Sequence, residues 1–371
     1  MKKKAPQDTV IPQDEASWVT THLTRIPFIQ KIFFVDHLRT MIHASLSLVE
    51  ALSILEKEME NKRFKIIIAN IRREVEKGRQ LSDVLAEYPK VFPSIYVKMV
   101  ASGEIAGRLD ETLAQIVIQM KKTHELSSSI RGAMIYPGVI LSAMGGVGIL
   151  MTTVVLPKLV DVFKEFDAKL PLPTRILIVI THFASNPFYF TGTAIIIVLS
   201  ILTFRMSLKK FIGFKRAVHA FNLRLPIAGG VIKQINLARF SLTLSSLLKS
   251  TIPIIDAIDI TAETCPNLLY RDSLHAGAKE MKEGRPLSEI LSADGRLFPP
   301  MVTEMIMVGE RTGEVDQLLS ELSDFYGSEV DKTMKNFTTI IEPVIILLLG
   351  VAVAGVAVAV VMPMYSLVQN F

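Results

Sequence analysis

Apolar residues recur along this chain at three- and four-residue spacing, the repeat of an α-helix with one buried face. From Phe28 onward the series Phe34, Leu38, Met41, Ile42, Leu46, Val49, Leu52 and Leu55 keeps that period. Lys62–Lys77 is predicted as an amphipathic helix, with Gly78 placed as a C-terminal glycine of positive φ. Ser82 or Asp83 is expected to open a short helix that stops at Pro89, and Ser94 to cap the next one. That helix is expected to end at Gly103, with Gly107 letting the chain enter a long helix from about Leu109. No stretch of similar length alternates with period two, so the pattern predicts an all-α protein.

The pattern then becomes uniformly apolar in three places. No charged side chain lies between Arg131 and Lys158, between Arg175 and Arg205, or after Glu342. A bilayer core takes about 20 apolar residues in a helix, so spans are expected at 134–156, 187–204 and 340–362. The remaining limits follow: a flexible tail at 1–27, a first helical domain at 28–133, an external loop at 157–186, a second helical domain at 205–339 and an external tail at 363–371. Basic residues crowd behind the second span at Arg205, Lys209, Lys210, Lys215, Arg216 and Arg224. By the positive-inside rule this side is cytoplasmic, giving a cytoplasmic N-terminus and an external C-terminus, with anionic lipid as a further contact.

The chain is also written twice. FPSIYVKMVASGEIAGRLD at 92–110 returns as FPPMVTEMIMVGERTGEVD at 298–316, an offset of 206. Phe34 answers Phe240, Ala51 answers Ala257, Gly78 answers Gly284, Pro137 answers Pro343 and Pro157 answers Pro363. Roughly 34–163 align onto 240–369 without a gap, so one fold is used twice. Within the spans, Gly138, Ser142 and Gly146, and Gly350 with Ala354, form small-xxx-small series suited to close helix packing.

Composition narrows the chemistry. Of 371 residues half are hydrophobic and 21% are charged, with a mean hydropathy of +0.39. The net charge of +5 sits in the post-span run, which argues against nucleic-acid binding. A lone Cys265 excludes an internal disulfide, and the scattered histidines form no zinc pattern. No phosphate-binding loop, nucleophile elbow or zinc-protease motif occurs. Beyond Glu342 at the start of the third, the spans carry no Asp, Glu, Lys or Arg, which disfavours ion translocation and intramembrane catalysis. Acidic residues such as Asp256, Asp259 and Glu50 read as solvated helix faces. The candidate functional residues are therefore those of the doubled turn: Gly103, Glu104, Gly107 and Asp110, and Gly309, Glu310, Gly313 and Asp316. Their glycines suit a helix–helix connection, whereas a simple turn does not require a glutamate.

These motifs together resemble the type II secretion system protein F and type IV pilus assembly protein C family of inner-membrane platform proteins. The resemblance rests on the two Phe-Pro to Gly-Glu-x-x-Gly segments, KGRQLSDVL at 77–85 with EGRPLSEIL at 283–291, LPLPTR at 170–175, and the exits VVLP at 154–157 and VVMP at 360–363. It implies two homologous cytoplasmic helical bundles, three transmembrane helices and a nonenzymatic role without cofactors. It further implies coupling of a hexameric secretion ATPase to pilins or pseudopilins, other inner-membrane assembly partners and a homo-oligomer. A polytopic transporter or a passive membrane scaffold is the alternative. The segment before Phe28 is short for the family, and the first copy is looser, with His43 and Ser45 where the second has Lys249 and Thr251.

Overall fold

The computed structural model describes residues 25–155, 157, 179, 187–226 and 228–368. Residues 1–24 of the expected N-terminal tail, most of the external loop and the last three residues lie outside them. Among the described residues the fold is helical, without a strand.

The first copy comprises α1 (Phe28–His43), α2 (Leu48–Glu58), α3 (Lys62–Glu76), α4 (Leu81–Ala86), α5 (Ser94–Ala106) and α6 (Leu109–Leu150), the last followed by a wider π turn at Met151–Val155. After α7 (Pro187–Lys210) and α8 (Ile212–Arg224), the second copy comprises α9 (Ala228–Lys249), α10 (Ile254–Thr264), α11 (Leu268–Lys282), α12 (Leu287–Ser292), α13 (Pro300–Thr312) and α14 (Val315–Val368). From α2 through α5, every helix start and end has its counterpart 206 residues later. Even unusual backbone is repeated. Gly78 and Gly284, Gly107 and Gly313, and the non-glycine pair Ser45 and Thr251 all have positive φ. Serine and β-branched threonine rarely adopt this conformation, so the turn after α1 and α9 is held by its surroundings.

Each copy is packed around the same three ring positions. Phe34, Phe64 and Phe92 lie 5.4–6.4 Å apart between centroids. In the second copy Phe240, Tyr270 and Phe298 take their places, with edge contacts of 5.5 and 5.4 Å to Phe298. The phenol that replaces Phe64 is buried, and its hydroxyl donates to the Leu297 carbonyl at 2.8 Å. The extra polar atom is thereby satisfied, which makes the exchange tolerable in a core.

Two compact units form. One gathers the chain up to His124 with Leu242–Thr261 and Val315–Gln317; the other gathers Glu125–Ser241, Ala262–Glu314 and Leu318–Phe371. The first unit thus includes a piece of the second copy, among it the end of α9 and most of α10. Three helices are long and apolar enough to cross a membrane, within Leu109–Val154, Thr191–Lys210 and Val315–Gly355. Two of them begin directly after the doubled turn and continue unbroken, through Pro137 in α6 and Pro343 in α14. Their apolar side chains, among them Ile135, Val139, Leu347 and Val351, are exposed, as a lipid-facing surface requires. At Gly138, Gly146 and Gly350 an added Cβ would meet nothing of this chain within 4 Å.

Candidate functional site: the doubled Gly-Glu-x-x-Gly turn

Both copies of the turn close a helix in the same way. α5 does not stop at Gly103; it runs on to Ala106, and Gly107 terminates it with φ +67°. The Gly107 N–H donates to the Glu104 carbonyl and the Arg108 N–H to the Gly103 carbonyl, a left-handed cap that satisfies two of the terminal carbonyls. α13 ends likewise at Gly313, with φ +81° and the Gly313 and Glu314 N–H groups on the Gly309 carbonyl. Gly103 has a different task. A Cβ there would come within 2.4 Å of the Thr112 Oγ1 and 2.7 Å of the Thr112 Cβ, so its bare backbone lets α5 and α6 approach. Ser94 opens α5 without capping it; the cap position is Pro93, which offers no side-chain acceptor.

The glutamate turns out to have a partner within the fold. Glu104 Oε1 accepts the Leu81 N–H at 2.6 Å and Oε2 accepts the Ser82 N–H at 2.9 Å. These are N-terminal amides of α4, whose own cap position, Gln80, supplies no side-chain bond. The expected local cap from Ser82 or Asp83 is thus replaced by a carboxylate 22 to 23 residues away. Glu310 repeats the arrangement on α12, accepting the Leu287 N–H at 2.6 Å and the Ser288 N–H at 3.3 Å, with the Ser288 hydroxyl also donating to Oε2. A carboxylate suits this place because it offers two acceptors of the right charge to a helix N-terminus.

The aspartates mark the start of the long helices. Asp110 Oδ1 accepts the Glu111 N–H at 2.7 Å, while Oδ2 lies 3.2 Å from the His43 Nδ1. The His43 hydrogen bond, with the Glu111 amide, holds the Asp110 carboxyl below the usual carboxylate range. In the second copy the structure ties the Asp316 carbonyl to the Ser245 hydroxyl at 2.7 Å. Around the first turn, Gly103, Ala106, Arg108, Thr112 and Gln115 line a small recess with Lys249, Ser250 and Thr251. The Ser102 hydroxyl donates across it to the Ser250 carbonyl at 2.9 Å. Beside Glu310, a groove is lined by Ser288, Glu289, Thr303, Glu304, Met307 and Arg311. Among the described residues no cluster of His, Cys, Asp or Glu could hold a metal ion.

One polar site escaped the sequence reading. The buried Gln119 of α6 donates to Thr243 Oγ1 at 3.2 Å and accepts from the Ser246 hydroxyl at 2.9 Å, both on α9. The only signal was the run of Ser and Thr among leucines in RFSLTLSSLLKS at 239–250, which helical periodicity alone does not assign to a buried face. The outward residues of the turn are the x positions. Ile105 is 82% exposed, and Arg311 occupies the matching place in the second copy.

Comparison with known families decides what this doubled architecture is. The model of the family described as Type II secretion system (T2SS), protein F, matches residues 34–157 and again 240–363. The chain belongs to this family. The matched stretches stand at the same 206-residue spacing as the doubled turns. Curated relatives agree over nearly the full length. The chain is 35% identical to the type IV pilus assembly protein PilC of Myxococcus xanthus, over 91% of this chain and 80% of that one. It is 33% identical to PilC of Thermus thermophilus, over 90% and 82%. Identity to the type II secretion system protein F of Pseudomonas aeruginosa is 31%, over 90% and 81%. Family membership and the three apolar helices make it an inner-membrane protein of this family.

Proposed function

We propose that this protein is the inner-membrane platform of a type IV pilus or type II secretion machine, coupling a cytoplasmic secretion ATPase to pilin or pseudopilin assembly. Its role is mechanical, as a protein that transmits force rather than one that catalyses a reaction. One observation carries the reading. Within each family repeat the short helices close in a tightly capped turn, and from that turn a single continuous helix leads into a membrane span. A push on the helical bundle near the turn is passed along α6 or α14 without an intervening loop. Both repeats sit in the cytoplasm in this reading, the N-terminus is cytoplasmic and the C-terminus external.

The doubled turn shapes the working surface in two layers. Gly103, Glu104, Gly107 and Asp110, with Gly309, Glu310, Gly313 and Asp316, set the backbone. Ile105 and Arg311 face outward and are the places for partner contact. Photocrosslinkers at positions 105 and 311 in cells assembling fibres test this. Recovery of the secretion ATPase or of pilins supports the reading, and recovery of neither removes the turns from the working surface.

A further inference from the structure

α8 is a short helix between a membrane span and the second repeat, and its two faces differ. One face is fixed. The His219 Nδ1 accepts the Leu268 N–H at 3.0 Å, and the Arg216 Nε donates to Asp272 Oδ2 at 3.0 Å, tying α8 to α11. The opposite face carries Phe214, Val218, Phe221 and Leu225, spaced four, three and four residues apart so that they align along one side. Phe221 is 63% exposed, and Phe214 and Leu225 are exposed as well. No residue of α8 is buried. A contiguous apolar face of this kind marks a surface that something else covers.

The surroundings say what covers it. Phe214 meets Phe204 edge-on, with ring centroids 5.7 Å apart, and Phe204 lies in the final turns of the apolar helix α7. The exposed face of α8 is therefore continuous with the lipid-facing surface of the span. Between them the chain leaves helical geometry at Phe211 (φ −111°, ψ 102°), so α8 does not simply extend α7. Lys209 and Lys210 end α7, and Lys215 and Arg224 follow on α8. An apolar face beside a span, flanked by cations, is the pattern of a helix lying in the headgroup and acyl-chain boundary.

We infer that α8 is an interfacial anchor. It lies in the leaflet where α7 ends, with Phe214, Val218, Phe221 and Leu225 among the acyl-chain ends. Lys209, Lys210, Lys215 and Arg224 stand against anionic headgroups. The second repeat, tied to α8 through His219 and Arg216, is thereby held at the bilayer surface. This does not depend on the platform reading, since it needs only that α7 spans the membrane.

The test uses the full chain with Cys265 replaced by Ala and an environment-sensitive fluorophore at Phe221→Cys, with Ala217→Cys as a second site on the same face. Glu283→Cys, at an exposed position beyond α11, is the control. The protein is reconstituted into phosphatidylcholine vesicles with and without phosphatidylglycerol, containing a lipid nitroxide placed just below the headgroups. The expected result is a blue-shifted emission strongly quenched by the nitroxide at 221 and 217, with no quenching at 283. Lys209→Gln combined with Lys210→Gln should abolish the added quenching that phosphatidylglycerol brings. Water-like, unquenched emission at both α8 sites in every vesicle overturns the inference. So does protection that arises only when other membrane proteins are co-reconstituted, since the face would then belong to a protein partner.

Discussion

Glu310→Ala isolates the role of the carboxylate in the doubled turn. The substitution removes acceptors for the Leu287 and Ser288 amides and the Ser288 hydroxyl at once. Hydrogen bonds to a charged group contribute about 1.5–3 kcal/mol each when buried, but this carboxylate is only partly buried. Loss of a helix N-cap is measured at about 0.5–2 kcal/mol. The expected destabilisation is therefore about 1.5–3 kcal/mol, and roughly half of that for Glu310→Gln, which keeps one acceptor oxygen. At about 2–4 °C per kcal/mol for a unit of this class, the unfolding midpoint should fall by roughly 3–12 °C. The chain carries its own reporter. Cys265 is 5% exposed and burial pushes its thiol up to about 12, so a thiol-reactive fluorogenic maleimide labels it only after unfolding. Heating the detergent-solubilised protein with that reagent reads the midpoint directly. An unchanged midpoint in Glu310→Ala, together with lost fibre assembly, would refute the structural assignment and make the carboxylate a partner contact.

Further substitutions follow the same geometry. Gly103→Ala should destabilise more than Gly107→Ala, because the first forces a clash with Thr112, whereas the second meets open space and incurs only the left-handed backbone cost of about 1–2 kcal/mol; thermal unfolding of the two variants side by side checks the order. Gln119→Leu removes the buried acceptor of the Ser246 hydroxyl and should lower stability by about 1–3 kcal/mol, read as faster hydrogen exchange in α6 and α9. Ser45→Gly relieves a positive φ at a cost in chain entropy and should raise stability slightly, by about 0.5–1 kcal/mol, read as a higher unfolding midpoint. Asp110 titrates below its ordinary range when folded, so its stabilisation is present above the unfolded carboxylate pKa and is lost as pH falls through the folded one. Wild type and Asp110→Asn should therefore differ near neutrality and converge in acid, followed as midpoint against pH.

Much of the helical plan was legible because its causes are local. Gly78, Gly107, Gly284 and Gly313 were readable as ends or turns, since only glycine takes positive φ without strain, and all four have it. The apolar spans announce themselves by the absence of charge. Local rules erred where distant groups compete. Ser82, Asp83 and Ser94 looked like helix caps, yet α4 is capped by Glu104 and α5 begins after Pro93 with no side-chain cap. Gly103 looked like a terminator, but α6 packs so closely that a glycine is needed inside the helix.

The sequence by itself determined the duplication, the helices and the membrane-spanning segments. Periodicity, charge exclusion and the 206-residue offset are properties of residues close in sequence or of direct comparison between copies. Tertiary structure decided what the repeated polar groups of the turn touch. It sent Glu104 and Glu310 inward to helix amides, placed Gln119 against Thr243 and Ser246, and left Ile105 and Arg311 facing outward. It also turned the apolar side of α8 away from its own fold. Such contacts depend on which helices pack together, and a hydrogen-bonding group carries no mark in the chain of a partner many residues away.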